Sequence, residues 1–242
     1  MLVKTYCAAV NGLDVNTVTC EVSMSRGVQF HLTGLADTAV KESYDRIADQ
    51  WDRVRSCRPV DHCVEEFADL LPKGAAVMDI GCGTGRPIGA YLINRGFQLT
   101  AMDISPRMLD LARANLPGAQ LILGDFLDFD DAPFEGAFDG ILAFDSLFHV
   151  AGSRQKEIYP KVSRLLAKGG YFLFTGGFSK GPDQMKTITG TMLGQTFTYG
   201  ALSESELLQA LKESGLSIIR FEKQYTHPTT GSRDLLCLAR KD

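Results

Sequence analysis

Short apolar runs alternate with helix signals along most of the chain. The runs predict strands over residues 77–80, 98–103, 120–123, 138–144, 171–174, 217–223 and 234–240. Ser105-Pro106 and the pair Ser203 and Glu206 are typical of helix N-termini, because the serine hydroxyl accepts a backbone N–H of the first turn. Strands that alternate with helices in this way indicate an α/β fold with a mostly parallel sheet.

The first 42 residues have a different pattern. They predict strands over 4–10, 17–25 and 28–33, separated by the turn pairs Asn11-Gly12 and Arg26-Gly27, and then a helix led by Asp37. The edges of so small a sheet must be paired or covered. The segment therefore docks on the rest of the chain, forms a homodimer or is loosely ordered. We expect a β-rich appendage over 1–42 and an α/β domain over 43–242.

The most informative segment is Asp79-Ile80-Gly81-Cys82-Gly83-Thr84-Gly85, where a predicted strand runs into three glycines and then a helix with Pro87 near its start. Because the glycines have no side chains, a ligand can approach the backbone closely. The first amides of the helix face the loop. The chain contains no GxxxxGK[ST] phosphate loop, and Arg86 stands where the third glycine of a dinucleotide fingerprint belongs. The spacing GxGxG after an acid therefore disfavours both of these nucleotide-binding classes.

The segment 79–85 resembles the first motif of class I S-adenosylmethionine-dependent methyltransferases, and the resemblance continues from about residue 43 onward. Asp103 ends the second predicted strand, Asp125 follows the third, and a turn over 166–170 leads into the fifth. Each acid alone could simply end a strand. Four matches in order, each at the carboxyl end of a successive predicted strand, instead indicate a ligand site, because open α/β sheets bind ligands at that edge. The resemblance implies a Rossmann-like, seven-stranded, mostly parallel sheet with an antiparallel last strand and helices on both faces.

The resemblance also implies S-adenosylmethionine as the cofactor. Asp79 and the glycine turn would shape its methionine side, Asp103 would hold the ribose, and Asp125 with its neighbour would hold adenine. Tyr44 and Trp51 lie on an early helix that folds over the cofactor in related enzymes, although aromatic residues at helical spacing also pack into cores. The predicted cofactor-binding residues are Tyr44, Trp51, Asp79, Gly81, Cys82, Gly83, Gly85, Asp103, Ile104, Met108, Gly124, Asp125, Phe126 and Phe144.

Candidate catalytic residues follow the fourth predicted strand, over 144–149. Methyl transfer from a sulfonium is an in-line displacement, so most of the acceleration can come from holding the acceptor and the methyl group in line. A base helps where the acceptor is a hydroxyl or a protonated amine. His149 is either that base or a packing histidine. Asp145 has the better position and serves either in catalysis or only to orient the ligands.

Two later segments bear on the acceptor. The glycine- and threonine-rich stretch 176–200 is long for a connection, and we expect it to cover the substrate as a lid. An antiparallel last strand would turn the hairpin before it toward the site. His227 and Arg233 would then come within reach of the acceptor, and the alternative is that both are surface residues of that turn.

Composition narrows the substrate and the compartment. The 242 residues are 45% apolar and carry a net charge of −4, without a basic run. The N/D-PP-Y/F arrangement of amino-methylating nucleic-acid enzymes is absent after the fourth strand, so we expect a small-molecule methyl acceptor and no nucleic acid partner. The six cysteines lack metal-type spacing, and no apolar run reaches membrane-spanning length. We expect reduced thiols, no metal, no membrane and a cytoplasmic protein.

Residues 1 to about 46 resemble the N-terminus of magnesium-chelatase-like AAA+ proteins, including their competence-associated helicase branch. The segments MLVKTY over 1–6 and DTAVKES over 37–43 carry this resemblance. The phosphate loop that ATP hydrolysis needs is absent from the chain, so we expect a fusion of this fragment to a methyltransferase. Two alternatives are a protein that binds S-adenosylmethionine without transferring its methyl group, and an ATPase- or helicase-related protein.

Overall fold

The computed structural model describes the backbone of residues 2–11, 14–24, 30–33, 35–179 and 188–242, and the side chains of residues 38–179 and 189–242. The helices are α1 Leu35–Arg55, α2 His62–Asp69, α3 Ile88–Asn94, α4 Pro106–Asn115, α5 Gln155–Leu165 and α6 Glu204–Glu213. The strands are β1 Leu2–Asn11, β2 Asp14–Met24, β3 Phe30–Thr33, β4 Ala76–Ile80, β5 Gln98–Asp103, β6 Gln120–Leu123, β7 Phe138–Ala143, β8 Leu166–Gly176, β9 Ile188–Met192, β10 Gln195–Tyr199, β11 Leu216–His227 and β12 Gly231–Lys241.

A seven-stranded sheet forms the centre of the fold, in the order β11-β12-β8-β7-β4-β5-β6. The pairs β4/β5, β4/β7, β5/β6 and β7/β8 are parallel. β12 runs antiparallel to both of its neighbours, β8 and β11. The last strand of the chain therefore inserts antiparallel into a parallel sheet, and the predicted fold class is confirmed.

Two apolar layers bury the sheet. Ile158 of α5 and Leu207 of α6 belong to one layer, and Phe67 of α2 and Leu109 of α4 belong to the other. Gly140 on β7 lets α2 lie close to the sheet, because a Cβ at that position would lie 2.8 Å from the Phe67 Cζ. Each fully buried large side chain contributes about 1.5–3 kcal/mol through removal from water, which makes these layers the main support of the sheet.

The carboxyl ends of the parallel strands meet at one edge. β4 leads into the glycine turn, and β5 ends at Asp103. Ile80 at the end of β4 pairs with Met102 of β5, so the glycine turn and Asp103 are neighbours. Asp125 and Asp145 follow β6 and β7 at the same edge. Open α/β sheets bind ligands outside this edge, and the topology collects the predicted site residues there.

The helix starts predicted at Ser105 and Ser203 are confirmed, whereas the helix expected to be led by Asp37 begins at Leu35. The Ser105 Oγ accepts a hydrogen bond from the Met108 N at 3.1 Å, and Pro106 occupies the first turn of α4. The Ser203 Oγ accepts a hydrogen bond from the Glu206 N at 3.3 Å, and the Glu206 carboxylate accepts one from the Ser203 N at 3.1 Å. Such caps each stabilise a helix by about 1 kcal/mol because they satisfy backbone groups that have no partner within the helix.

The N-terminal strands form a separate antiparallel sheet in the order β1-β2-β3. Its strands correspond to those that the sequence predicts, although Gly12, Arg26 and Gly27 of the predicted turns and the expected third-strand start at Val28 lie outside the described residues. Helix α1 follows and runs without interruption across residues 42 and 43. The boundary expected at that position therefore falls inside a helix.

Helix α1 is fastened to the central domain. The Asp45 carboxylate accepts hydrogen bonds from the Ser105 Oγ at 2.5 Å and the Arg107 N at 3.3 Å, at the start of α4. Ile47 of α1 packs with Met108 of α4 in one buried cluster. These contacts hold the helix across the carboxyl edge of the sheet.

Strands β9 and β10 form an antiparallel hairpin within the stretch expected to be a lid. The Ser43 Oγ of α1 donates a hydrogen bond to the Thr196 O at 3.2 Å, and Phe197 is buried in the cluster that contains Ile47. Residues 180–187, including Met185 of the expected lid, lie outside the described residues. β8 begins at Leu166, so the expected turn over 166–170 is part of that strand, with a change of register against β7.

None of the described helices is long and apolar enough to cross a membrane. In the part of the chain whose side chains are described, Cys57, Cys63, Cys82 and Cys237 are free thiols. Burial raises the pKa of Cys237 to about 12 and thus keeps it protonated and unreactive.

Candidate functional site

The glycine turn lies at the centre of the carboxyl edge. Gly81, Gly83 and Gly85 adopt φ angles of +77°, +56° and +80°, a region that favours glycine. A Cβ on Gly81 would lie 2.4 Å from the Ser146 Cβ, and one on Gly85 would lie 2.5 Å from the Leu116 side chain. Packing therefore requires these two glycines, whereas Gly83 borders the cavity opposite Trp51.

Two carboxylates are buried beside this turn. Asp79 is 4% exposed and its carboxylate has no hydrogen-bond partner among the described residues. Asp103 is 8% exposed and accepts hydrogen bonds from the Gly83 N at 2.8 Å and the Ser105 N at 2.9 Å. Burial, together with the charge of Asp103, raises the pKa of Asp79 to about 7, and burial raises that of Asp103 to about 6 despite its backbone hydrogen bonds. The cavity therefore attracts a cationic group and hydroxyl donors.

A first cavity opens above the turn and brings together most of the residues that the sequence predicts. Fourteen predicted residues line it, among them both candidate catalytic residues: Tyr44, Trp51, Asp79, Gly81, Cys82, Gly83, Asp103, Ile104, Gly124, Asp125, Phe126, Phe144, Asp145 and His149. Gly85 and Met108 do not line it. Gly85 packs on Leu116, and Met108 is buried between α1 and α4.

One end of the first cavity lies between β5 and β6. The Asp125 Oδ1 accepts a hydrogen bond from the Leu127 N at 2.7 Å, which fixes the carboxylate and leaves its second oxygen available. Phe126 is 6% exposed and packs 5.8 Å from the Phe129 ring. This end of the cavity therefore combines an acceptor with an aromatic wall.

A second cavity adjoins the first and shares the side chains of Tyr44, Trp51, Arg55, Asp145 and His149 with it. The stretch expected to be a lid contributes Met192 and Tyr199 to its wall, and β12 contributes Arg233. Two connected cavities of this kind can hold two reactants side by side.

Asp145 is held rigidly between the cavities. Its φ of +57° is unusual for a residue other than glycine. The Arg233 Nε and Nη2 donate hydrogen bonds to its two carboxylate oxygens at 2.7 and 2.8 Å, and the Thr175 Oγ1 donates another at 3.1 Å. Because Arg233 engages both carboxylate oxygens, this geometry favours the orienting role among the two that the sequence leaves open.

His149 is hydrogen-bonded on both sides. Its Nε2 lies 2.7 Å from the Tyr44 Oη, and its Nδ1 lies 3.4 Å from the Thr198 O. Because a carbonyl only accepts, Nδ1 carries the proton and Nε2 accepts from the Tyr44 hydroxyl. Burial lowers the pKa of His149 to about 4 and raises that of Tyr44, so both are neutral. His149 can reach the cavities as a proton acceptor only through Tyr44.

The β11–β12 hairpin carries His227 and Arg233, which were both expected within reach of the acceptor, but it places them apart. Arg233 lines the second cavity, whereas His227 stacks on His62 with 5.1 Å between the rings. Asp61, His62 and His227 come within 4.8 Å of one another, a spacing that could hold a metal ion. One Asp61 oxygen already accepts hydrogen bonds from the Cys63 N and the Tyr225 hydroxyl. The other accepts from the Thr230 hydroxyl and the Arg233 Nη1, so both oxygens that a metal would need are occupied.

Two arginines of the site are not among the residues predicted from the sequence. Arg86 lines the first cavity beside the glycine turn, and Arg55 lines both cavities. Arg55 follows Trp51 by one helical turn, with its guanidinium 4.4 Å from the Trp51 ring centroid. That spacing on a helix predicted to fold over the cofactor is a signal that could have found Arg55.

The neutral state of His149 makes stability depend on pH. Its pKa is about 4 in the folded chain against an ordinary value of 6.5, so the unfolded chain binds the extra proton as pH falls through this range. We expect the free energy of unfolding of the native chain to fall by about 2 kcal/mol more than that of His149→Gln between pH 7.5 and pH 5. Urea titrations at both pH values measure this difference. His227→Gln, outside both cavities, controls for the substitution itself. Identical pH slopes for the native chain and His149→Gln would contradict the assignment.

Comparison with known proteins agrees with this geometry. Residues 78–174 match a family model described as a methyltransferase domain. The YqeM protein of Bacillus subtilis is 32% identical over 136 residues, which cover 54% of each chain. The magnesium-protoporphyrin O-methyltransferase of Rhodobacter capsulatus is 35% identical over 102 residues, which cover 40% of each chain. The chain spans about half the length of the curated relatives that it matches.

A solved structure shares the fold over nearly the whole chain. It is the 1,6-didemethyltoxoflavin-N1-methyltransferase of Burkholderia thailandensis with bound 1,6-didemethyltoxoflavin and S-adenosylhomocysteine. Its TM-score is 0.63 at 19% identity, and the match covers 92% of this chain and 95% of the other. The predicted cofactor, S-adenosylmethionine, is the one that this fold and domain imply. Residues 78–174 thus match a methyltransferase domain model, and the chain shares the Rossmann-like α/β fold of that solved structure.

Proposed function

We propose that this protein transfers the methyl group of S-adenosylmethionine to a small-molecule acceptor. The observation that carries the proposal is the pair of buried carboxylates, Asp79 and Asp103, beside a glycine turn at the carboxyl edge of the sheet. The family match over residues 78–174 supports the same conclusion from the sequence.

The chemistry of the first cavity fits S-adenosylmethionine. Asp79 offers an unpaired carboxylate to a cationic group such as the α-amino group of the cofactor. Each carboxylate oxygen of Asp103 accepts a hydrogen bond from one backbone N–H. The remaining lone pairs can accept hydrogen bonds from the two ribose hydroxyls. Asp125 has a free oxygen for the adenine amino group, beside the Phe126 ring. The cofactor-binding role that we assign to the predicted residues follows from these fits, with Gly85 and Met108 acting through packing.

The bound cofactor would supply a methyl group on a sulfonium, and the chain would supply position. Asp145, fixed by Arg233, orients the ligand groups that meet between the two cavities. The Tyr44 hydroxyl borders both cavities and can take a proton from the acceptor while passing its own to the His149 Nε2. Positioning is the main contribution of the protein, and this pair removes a proton where the acceptor carries one.

A small molecule is the acceptor class that we favour. The second cavity is walled by α1, β8, the β9–β10 hairpin and the β11–β12 turn, which suits a compact ligand better than a polymer. The net charge of −4 argues against a polyanionic acceptor such as DNA or RNA, and we therefore propose no nucleic acid partner.

We further propose that residues 1–42 are an appendage fused to the domain over 43–242. The internal pairing of β1, β2 and β3, and their resemblance to the AAA+ N-terminus, support this division. Helix α1 then belongs to both parts, since it starts at Leu35 and Val40 already lines the first cavity.

The outer edges of β1 and β3 could pair with a second copy. Analytical ultracentrifugation would give such a homodimer twice the chain mass of 26.5 kDa. A measured mass equal to that of one chain would exclude the dimer.

The test of the activity uses S-adenosylmethionine labelled in its methyl group. The purified chain is incubated with a panel of small phenols, carboxylic acids, amines and thiols, and label in the products is measured by mass spectrometry. We expect label in at least one small molecule together with formation of S-adenosylhomocysteine. Tight binding of both cofactor forms without any labelled product would instead favour the non-catalytic binding protein.

Asp103 provides a test of the cofactor site. We expect Asp103→Asn to weaken S-adenosylhomocysteine binding by about tenfold or more, because a charge-assisted hydrogen bond contributes roughly 1.5–3 kcal/mol. The melting temperature should change little, because the variant also removes a buried charge. Calorimetric titration and thermal unfolding measure the two effects, with the exposed Asp110→Asn as matched control. Unchanged affinity in Asp103→Asn would remove Asp103 from the site.

A further inference from the structure

Arg55 is the group of the site that the proposed function leaves without a task. It is the last residue of α1, and it lines both the first cavity and the second. Its side chain is only 16% exposed. A guanidinium carries five N–H donors and stays charged at all physiological pH values, so its buried position calls for acceptors.

The described residues give the Arg55 guanidinium no hydrogen-bond acceptor. The Asp145 Oδ2 lies 3.8 Å from its Nη2, beyond hydrogen-bond distance, and the guanidinium makes no hydrogen bond with the described residues. The ring of Trp51 holds the guanidinium from one side at 4.4 Å, and an aromatic face accepts no strong hydrogen bond. Arg55 therefore combines a fixed position with free donors that border open space.

Asp145 lies within ion-pair distance of Arg55 but gives its short hydrogen bonds to Arg233. Arg233 donates to both Asp145 oxygens at 2.7 and 2.8 Å. Arg233 also lies 3.4 Å from the Asp61 carboxylate. Among the charged groups that line the second cavity, the remaining one is Asp234, which is exposed and therefore screened by water. Arg55 is thus a charged group of the second cavity whose guanidinium makes no hydrogen bond with the described residues.

The rest of the second cavity is largely aromatic. Phe148, Phe178 and Tyr199 line it, in addition to the Tyr44, Trp51 and His149 side chains that it shares with the first cavity. The Phe148 and Tyr199 rings lie 5.5 Å apart, and Tyr199 lies 5.3 Å from His149. Aromatic walls of this kind favour a flat, apolar ligand body.

We propose that the methyl acceptor is an aromatic carboxylic acid whose carboxylate binds Arg55. This inference rests on the proposed function, because it assigns the second cavity to the acceptor. A single planar guanidinium matches a carboxylate, whose two oxygens can accept from two of its N–H groups. The cofactor has a carboxylate of its own, and Arg86 borders the first cavity alone and is available to it, since its nearest described acid, Asp52, lies 4.0 Å away.

The test compares acids with their amides on the intact chain. The protein is saturated with S-adenosylhomocysteine and titrated calorimetrically with 2-hydroxybenzoate, 4-hydroxybenzoate and indole-3-carboxylate, and with the primary amide of each. We expect at least one acid to bind about tenfold or more tightly than its amide, because only the acid offers Arg55 an ion pair. Equal affinity within every pair, or no binding of any acid, would overturn the proposal. This comparison needs no variant.

Two variants locate the effect. Arg55→Gln should lose about tenfold in affinity for the acid and keep that for the amide, whereas Arg58→Gln, an exposed neighbour, should match the native chain. S-adenosylhomocysteine affinity should stay within about twofold in both. A comparable loss of S-adenosylhomocysteine affinity in Arg55→Gln would assign Arg55 to the cofactor carboxylate and refute the proposal. Acid binding without methyl transfer to any bound acid would refute the acid as the acceptor, whereas the proposed function would fail only if the wider panel also stayed unlabelled.

Discussion

The site depends on two carboxyl groups that the fold buries at the carboxyl edge of its sheet. Asp79 and Asp103 lie at the carboxyl ends of adjacent parallel strands, and no described residue pairs either group with a positive charge. Burial of an unpaired carboxylate is unfavourable, which the raised pKa of each residue expresses. A bound ligand that contacts these carboxyl groups would offset this unfavourable burial. S-adenosylmethionine has a cationic group and hydroxyls that could make such contacts.

The remaining parts of the site follow from this edge. The glycine turn leaves backbone exposed where a ligand must approach, and Ser146 crosses over Gly81 at a distance that excludes any side chain there. Helix α1 closes the cavity from above because Asp45 binds the start of α4. Tyr44 then joins that helix to His149, and His149 contacts the β10 hairpin through the Thr198 carbonyl. One aromatic network thus connects the helix, the strand edge and the hairpin that enclose the second cavity.

Much of the fold could be predicted because its determinants are local. Strand periodicity, the Ser105 and Ser203 caps and the GxGxG spacing each act within a few residues of sequence, and each appears in the structure where it was expected. The acids at the strand ends could be predicted for a similar reason, because parallel topology alone brings successive strand ends to one edge.

The parts that could not be predicted depend on contacts between distant segments. The bidentate pair of Asp145 with Arg233 joins residues 88 positions apart, and it turns a candidate base into a fixed orienting group. The hydrogen bond from Tyr44 to His149 spans 105 positions and removes the free nitrogen of a candidate base. No local pattern records either contact, because both arise from the packing of α1 and the last hairpin over the sheet edge.

We propose that the buried acids and the glycine turn together form an S-adenosylmethionine site. Calorimetric titration of the intact chain with S-adenosylmethionine, S-adenosylhomocysteine, NAD and ATP under the same conditions tests this site. We expect binding of the first two with dissociation constants in the micromolar range and no binding of NAD or ATP. Binding of NAD or ATP, or no binding of S-adenosylhomocysteine, would contradict it.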